Sequence, residues 1–194
     1  MTVLLVGLAI FLASHSVRIF ADDWRTEQIG RIGEWPWKGA VGLVSAIGFA
    51  LLVWGFALAR ATPIELFTPP AWIRPVTILL TVPVFPLVAA AYVPGNALKR
   101  AFGHPMVLGV IFWALAHLPA SGHAADVALF GGLLVWAVAD YAGARRRDRR
   151  AGIGHAGGTA VGNAVVVAGG LIAWWGFARF LHPLLIGVAP FGPS

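Results

Sequence analysis

The sequence predicts an all-α fold, a polytopic membrane bundle of about six transmembrane helices (five to six), and three observations carry that prediction. The chain is 59% hydrophobic and only 11% charged, more apolar than a soluble domain of 194 residues requires. Its apolar residues come in blocks near the ~20 residues a helix needs to cross the hydrocarbon. Its charges fall between those blocks, so the formal net charge of +6 reads as membrane topology and not as a nucleic-acid footprint. The absence of cysteine further excludes disulfides, thiolate metal sites and cysteine nucleophiles.

Six segments make one integral membrane domain over 1–194. The first spans 2–21. A signal peptide is the competing reading, but no basic residue precedes the apolar run, and Asp22 and Asp23 follow it. The second spans 39–60, after Trp35-Pro36-Trp37, whose amphipathic rings suit the interface, as does Trp72 before the third. Pro69-Pro70 ends the intervening connection. The third segment, 73–92, holds Pro83 and Pro86, which predict a kink or a loosened helix. Pro94-Gly95-Asn96 then turns the chain. The fourth segment, 105–121, opens at His104-Pro105, since the missing N–H of a proline costs nothing at the first helical position. The fifth spans 124–144 and the sixth 162–182. Between them lie five arginines within 145–150, expected to hold a loop at anionic headgroups. The glycine-rich 152–158 that follows lacks both the Lys-Ser/Thr ending and the preceding strand of a phosphate-binding loop. Trp54-Gly55-Phe56 and Trp175-Gly176-Phe177 echo one another, but three residues do not establish a repeat.

Lys and Arg orient the bundle. The loops opposite the N-terminus hold eleven of the fourteen basic residues: Arg18, Arg25, Arg31 and Lys38, then Lys99 and Arg100, then the five of 145–150. That face is expected to be cytoplasmic, with both termini outside. The bilayer is the partner that composition itself names; no nucleic acid is expected.

Polar groups inside a bilayer are costly and read first as functional. Asp126, in the first turn of the fifth segment, suits the helix dipole. Asp140 is within reach of the arginine cluster, and Asn163 reads as a helix cap. His123 and His155 read as solvated loop residues, and His182 as a partner for the last carbonyls of its helix. His15 and His117 lie well inside apolar runs. Each bears two readings: a core histidine bonded to a neighbouring backbone, or a metal ligand, since neutral imidazole is the commonest one. Two imidazoles on different helices, without thiolate or carboxylate cluster, suit haem iron better than zinc or a di-iron site. Gly109, Trp113 and His117 are four apart and share a face, which is either the wall of a cofactor pocket or ordinary helix packing. Ser14 and His15 point about 100° apart on a helix and so do not form a nucleophile–base pair.

His15-Ser16, Arg31-Ile32-Gly33-Glu34, Tyr92-Val93-Pro94-Gly95, His104-Pro105-Met106-Val107-Leu108-Gly109 and Trp113-Ala114-Leu115-Ala116-His117 together resemble the NnrU family of bacterial membrane proteins, over about 1–144. The sixth segment adds little to it. The resemblance implies an inner-membrane protein linked to denitrification, that is, to nitrite and nitric oxide metabolism. It acts there either directly or as a non-catalytic assembly or regulatory factor for respiratory nitrite or nitric oxide reductase components. The family also looks like the membrane domain of zeta-carotene isomerase, a haem b protein. That likeness implies haem b here, with isomerase-like redox chemistry, and maps the haem ligands onto His15 and His117. An alternative ligand of that enzyme falls near Trp136, which cannot serve. Gly103 replaces the arginine that precedes His-Pro, leaving Arg18 or Arg100 to meet an anionic group such as a propionate. Trp113 would flank the cofactor. Counting 1.5 Å per residue from opposite faces puts His15 and His117 roughly 10 Å apart in depth, so His104 stays a candidate ligand or exchange ligand. An Arg-His-Pro element also resembles isoprenylcysteine and phospholipid methyltransferases, but Gly103 and the missing cofactor signature argue against a lipid-directed methyltransferase.

Overall fold

The computed structural model describes residues 1–154 and 157–192, so the expectation for His155 lies outside the described residues. Among the described residues the fold is helical, with one isolated antiparallel bridge between Glu65 and His123. Five helical stretches are long and apolar enough to cross a membrane: Thr2–Phe20, Glu34–Ala61, Ile73–Tyr92, Ala124–Ala151 and Ala160–Ile186. The chain divides into two compact units, Met1–Thr68 with Ser121–Asp140, and Pro69–Ala120 with Tyr141–Ser194.

The first unit is built on α1 (Thr2–Phe20) and α3 (Glu34–Ala61). A Cβ on Gly7 would overlap the backbone of Leu51 and Leu52, and one on Gly55 the backbone of Val3 and Leu4. One on Gly48 would lie 2.7 Å from the Phe11 nitrogen. Position rises along α1 as it falls along α3, so the two run antiparallel. Lipid is as apolar as leucine and drives no helices together, so backbone approach at small residues is what holds such a pair. The outer face of α3 exposes Leu43, Phe49 and Val53, as a surface meeting acyl chains requires. Between them α2 (Asp22–Ile32) has no buried residue. It stands where the sequence reading placed a loop, because Asp22 and Asp23 begin it, Arg31 ends it and Glu27 pairs with Arg31 one turn on. The first part of α8 (Ala124–Ala151) completes the unit, with Gly132 lying over Leu8.

In the second unit α4 (Ile73–Thr81) and α5 (Val84–Tyr92) form one stretch broken at Val82–Pro83, where the prolines predicted the kink. α6 (Ala97–Phe102) and α7 (Pro105–His117) follow. The last stretch comprises α9 (Ala160–Ala164), a π turn at Val165–Gly169, α10 (Gly170–Gly176), a second π turn at Phe177–Leu181, and α11 (His182–Ile186). Thr77 Oγ1 donates to the Ala116 carbonyl at 3.1 Å, and Gly109 lies against Val84 and Leu87. α7 therefore runs antiparallel to α4–α5. Gly170 lies against Pro86, and Trp174 Nε1 donates to Thr81 Oγ1 at 3.0 Å. The last stretch runs antiparallel to α4–α5 as well, hence parallel to α7.

Three further sequence readings change. The fourth segment is a 13-residue helix, about 20 Å long at 1.5 Å per residue, short of the ~30 Å hydrocarbon. It stops at His117 because Pro119 has no N–H to extend the ladder. The fifth continues to Ala151, so the arginines of 145–150 stand on a helix; arginine and alanine are good helix formers, and Arg149 and Arg150 suit the C-terminal dipole. Asn163 does not cap its own helix. Thr159 does, accepting from the Gly162 N–H at 3.0 Å, while Asn163 Oδ1 accepts from the Ala97 N–H of α6 at 2.7 Å. The sequence reading also passed over Asn96, which is 2% exposed. Its amide donates to the Ala90 and Val93 carbonyls at 2.9 and 2.6 Å and its oxygen accepts from the Lys99 N–H at 2.8 Å, satisfying the backbone groups of the turn and the start of α6.

Candidate functional site

His15, in the first unit, is an exposed residue of α1 whose Nδ1 lies 2.8 Å from the Phe11 carbonyl. Its ring lies 4.3 Å from that of Phe11, tilted by 37°, and meets Trp136 edge-on at 5.8 Å. Ser14 Oγ does come within 3.2 Å of Nδ1, closer than the helical separation suggested. Both groups are drawn to one acceptor, for the Ser14 hydroxyl also donates to Phe11 O at 2.7 Å. A nitrogen donating its proton to a carbonyl has no lone pair for a serine, so the pair is not a nucleophile and its base. The indole Nε1 of Trp136 is buried and has no hydrogen-bond partner among the described residues.

His117 is the last residue of α7 in the second unit. Its Nδ1 lies 2.8 Å from the Trp113 carbonyl, and its ring is 5.4 Å from that of Trp113. Donation from Nδ1 fixes the tautomer and puts the ring's lone pair on Nε2. The ring of His182 lies 6.4 Å away, at an interplanar angle of 28°. His182 carries the same device, with Nδ1 2.7 Å from the Val188 carbonyl and Phe177 edge-on at 6.0 Å. That carbonyl lies beyond Ile186, the end of the helix, in a tail held by Arg74. The Arg74 guanidinium donates to the carbonyls of Ala189 and Pro190 at 2.9 and 3.0 Å, and to that of Gly192. The sequence reading placed His182 at a helix end and stopped there. The signal available was direction: the fourth and sixth segments run the same way, and each ends on a histidine.

The remaining candidates have structural partners. Gly109 is helix packing against α5, which decides that half of the shared-face question. His104 precedes the first turn of α7 and sets its Nε2 2.9 Å from Asp148 Oδ2, a carboxylate that Arg145 also approaches at 3.9 Å. Asp148, not Asp140, is thus the acid of the arginine helix that carries a partner, and burying a carboxylate demands one. Arg18 pairs loosely with Asp22 at 3.8 Å. Asp126 accepts from Ser121 Oγ at 2.5 Å in the first turn of α8, as a dipole-facing carboxylate should. His123 lies 3.4 Å from it and is 46% exposed at its side chain.

Among the described residues no three histidine, aspartate or glutamate side chains converge as a metal cluster. Zinc asks for three or four protein ligands, whereas haem iron asks the protein for one or two, its porphyrin supplying the rest. A family model described as NnrU protein matches residues 3–190. That match runs through the last membrane stretch, beyond the 1–144 that carried the sequence resemblance. No curated protein and no solved structure gives a significant match.

Proposed function

The chain belongs to the NnrU family, and from that membership we propose that it is a multi-pass membrane protein that binds one haem b and serves nitrite or nitric oxide metabolism in the bacterial inner membrane. The observation that supports it is the state of His117. Metal-bound histidines almost always donate the other ring N–H to a carboxylate, a backbone carbonyl or water, which orients the ring and raises its basicity. His117 is held that way by the Trp113 carbonyl, at 2.8 Å, at the end of a 13-residue apolar helix. The residues that would hold the group are an oriented imidazole and the Trp113 ring beside it, 5.4 Å away. Haem bound there supplies an iron redox couple and a place for a small ligand such as nitric oxide. The bias of basic residues supports an orientation with both termini outside the cytoplasm and the arginine helix toward the inner face.

The test is the visible spectrum of protein purified in mild detergent from cells supplied with ample haem precursor. A Soret band, with one haem b per chain by haemochrome assay, is the expected result. Its absence overturns the haem reading and leaves a non-catalytic assembly factor for nitrite or nitric oxide reductase as the function to pursue.

A further inference from the structure

We propose that the corner between α5, α6 and α7 seats the headgroup phosphate of an anionic phospholipid, with the Lys99 ammonium as its main contact; this does not depend on the haem reading. An open cleft of about 190 Å³ lies there, lined by Ala91, Lys99 and His104 and, on its apolar side, by Pro105, Met106 and Val107. A single water needs far less room, and sites that enclose a whole drug-sized molecule run to roughly 300–1,000 Å³. The cleft is thus sized for a polar headgroup whose chains stay outside it.

Depth points to lipid. α5 ends at Tyr92 and α7 begins at Pro105. Because the two run antiparallel, both lie at one end of the unit, where apolar stretches give way to headgroups. Tyr92 is exposed there, as an amphipathic ring at that level is. Basic pockets between membrane helices on the cytoplasmic side bind phosphorylated headgroups, and the bias of basic residues supports that side for this corner. Met106 is 37% exposed on the same cleft. An apolar surface next to a cation suits a glycerol backbone and the first acyl carbons, and offers nothing to a free ion.

Charge points the same way. In the first unit, basic side chains pair with acids one turn away, Arg31 with Glu27 at 2.5 Å and Lys38 with Glu34 at 2.7 Å. Lys99 has no carboxylate partner among the described residues. Its half-buried side chain donates once, to the Ala91 carbonyl at 3.1 Å, which holds the ammonium at the cleft with two of its three protons unspent. His104 meets Asp148 at 2.9 Å, and Arg145 approaches the same carboxylate at 3.9 Å, so the acid at this corner is already matched. Lys99, Arg100 and Arg145 against Asp148, with histidine counted neutral, leave two positive charges (three minus one). A cation partly out of water and without a counter-ion is what an anionic ligand offsets.

Native mass spectrometry of the full-length chain in mild detergent tests the site, titrating with phosphatidylglycerol, with phosphatidylcholine of the same chains, and with inorganic phosphate. One phosphatidylglycerol should bind ahead of any phosphatidylcholine, and inorganic phosphate at equal concentration should not displace it. Lys99→Gln should weaken that binding roughly ten-fold, as the loss of one hydrogen bond to a charged group does, and Lys99→Arg should keep most of it. Ala91→Phe fills the cleft without touching a charge and should weaken binding too. Arg146→Gln, at an exposed position of the arginine helix, should leave it unchanged. Undiminished binding in Lys99→Gln, or equal binding of the two lipids, overturns the proposal. Displacement by inorganic phosphate makes the ion the ligand and overturns the lipid assignment. Loss in Lys99→Gln with none in Ala91→Phe overturns the cleft as the seat. If Ala91→Phe does not accumulate, Lys99→Gln against Arg146→Gln decides.

Discussion

His15 and His117 are the same local structure in two different units, and the difference between them lies in what the rest of the chain brings near. Each is a helical histidine whose Nδ1 sits 2.8 Å from the carbonyl four residues back, and each stands beside a tryptophan ring. Beside the Ser14 hydroxyl and the Phe11 carbonyl, the first unit offers His15 the rings of Phe11 and Trp136 and leaves it exposed. The second offers His117 another imidazole, carried on a stretch 65 residues later (182 minus 117). Orienting an imidazole is therefore a one-helix matter, and bringing a second one near it is not. The tripeptide Trp-Gly-Phe teaches the same lesson. A Cβ on Gly55 would overlap the Leu4 backbone, while one on Gly176 would meet nothing within 4 Å. Identical residues close a helix pair in one unit and face open space in the other, so the echo is not a structural repeat.

That contrast can be broken most decisively at the histidines. His117→Ala should weaken haem retention by roughly 100-fold or more, since losing even an outer-shell partner of a metal ligand costs 10–100-fold; haem titration of the purified variant reads it. His15→Ala should retain haem within a few-fold of wild type. Equal losses in the two variants would erase the distinction drawn between the units.

The glycines give the next largest effect. Gly55→Leu forces side-chain atoms into the α1–α3 contact and should cost about 1–3 kcal/mol, the usual range for overpacking a tight interface. Gly176→Leu should stay within about 0.5 kcal/mol of wild type, as substitutions without close neighbours do. Denaturant unfolding in detergent, monitored by tryptophan fluorescence, compares them directly. Similar losses would mean that Gly176 is packed against something after all.

Trp136→Phe should show the smallest change, and in the opposite direction. The buried Nε1–H has no acceptor among the described residues, and leaving such a donor unpaired costs ~1–3 kcal/mol. Phenylalanine removes that cost but fills less space, so a net gain below about 1 kcal/mol is expected. A loss above that, in the same unfolding assay, would show that the indole N–H has found an acceptor.

The sequence by itself determined the membrane class, the blocks that become helices and the prolines that start or break them. These are local matters: apolar length, a missing N–H, a carboxylate at a helix start. Pro105 opens α7 and Pro83 splits α4 from α5 for reasons contained within a few residues. The hydrogen bonds of His15 and His117 were nearly legible too, since a carbonyl four residues back is within a helical residue's reach. What only the tertiary structure decided is which helices lie side by side and which polar groups meet. Asn163 serves α6 and not its own helix, Asp148 meets His104, and His182 comes to His117. Backbone contact at glycines and one extra residue in a π turn set those meetings. Both act across distances in sequence that no local pattern of hydrophobicity or charge encodes.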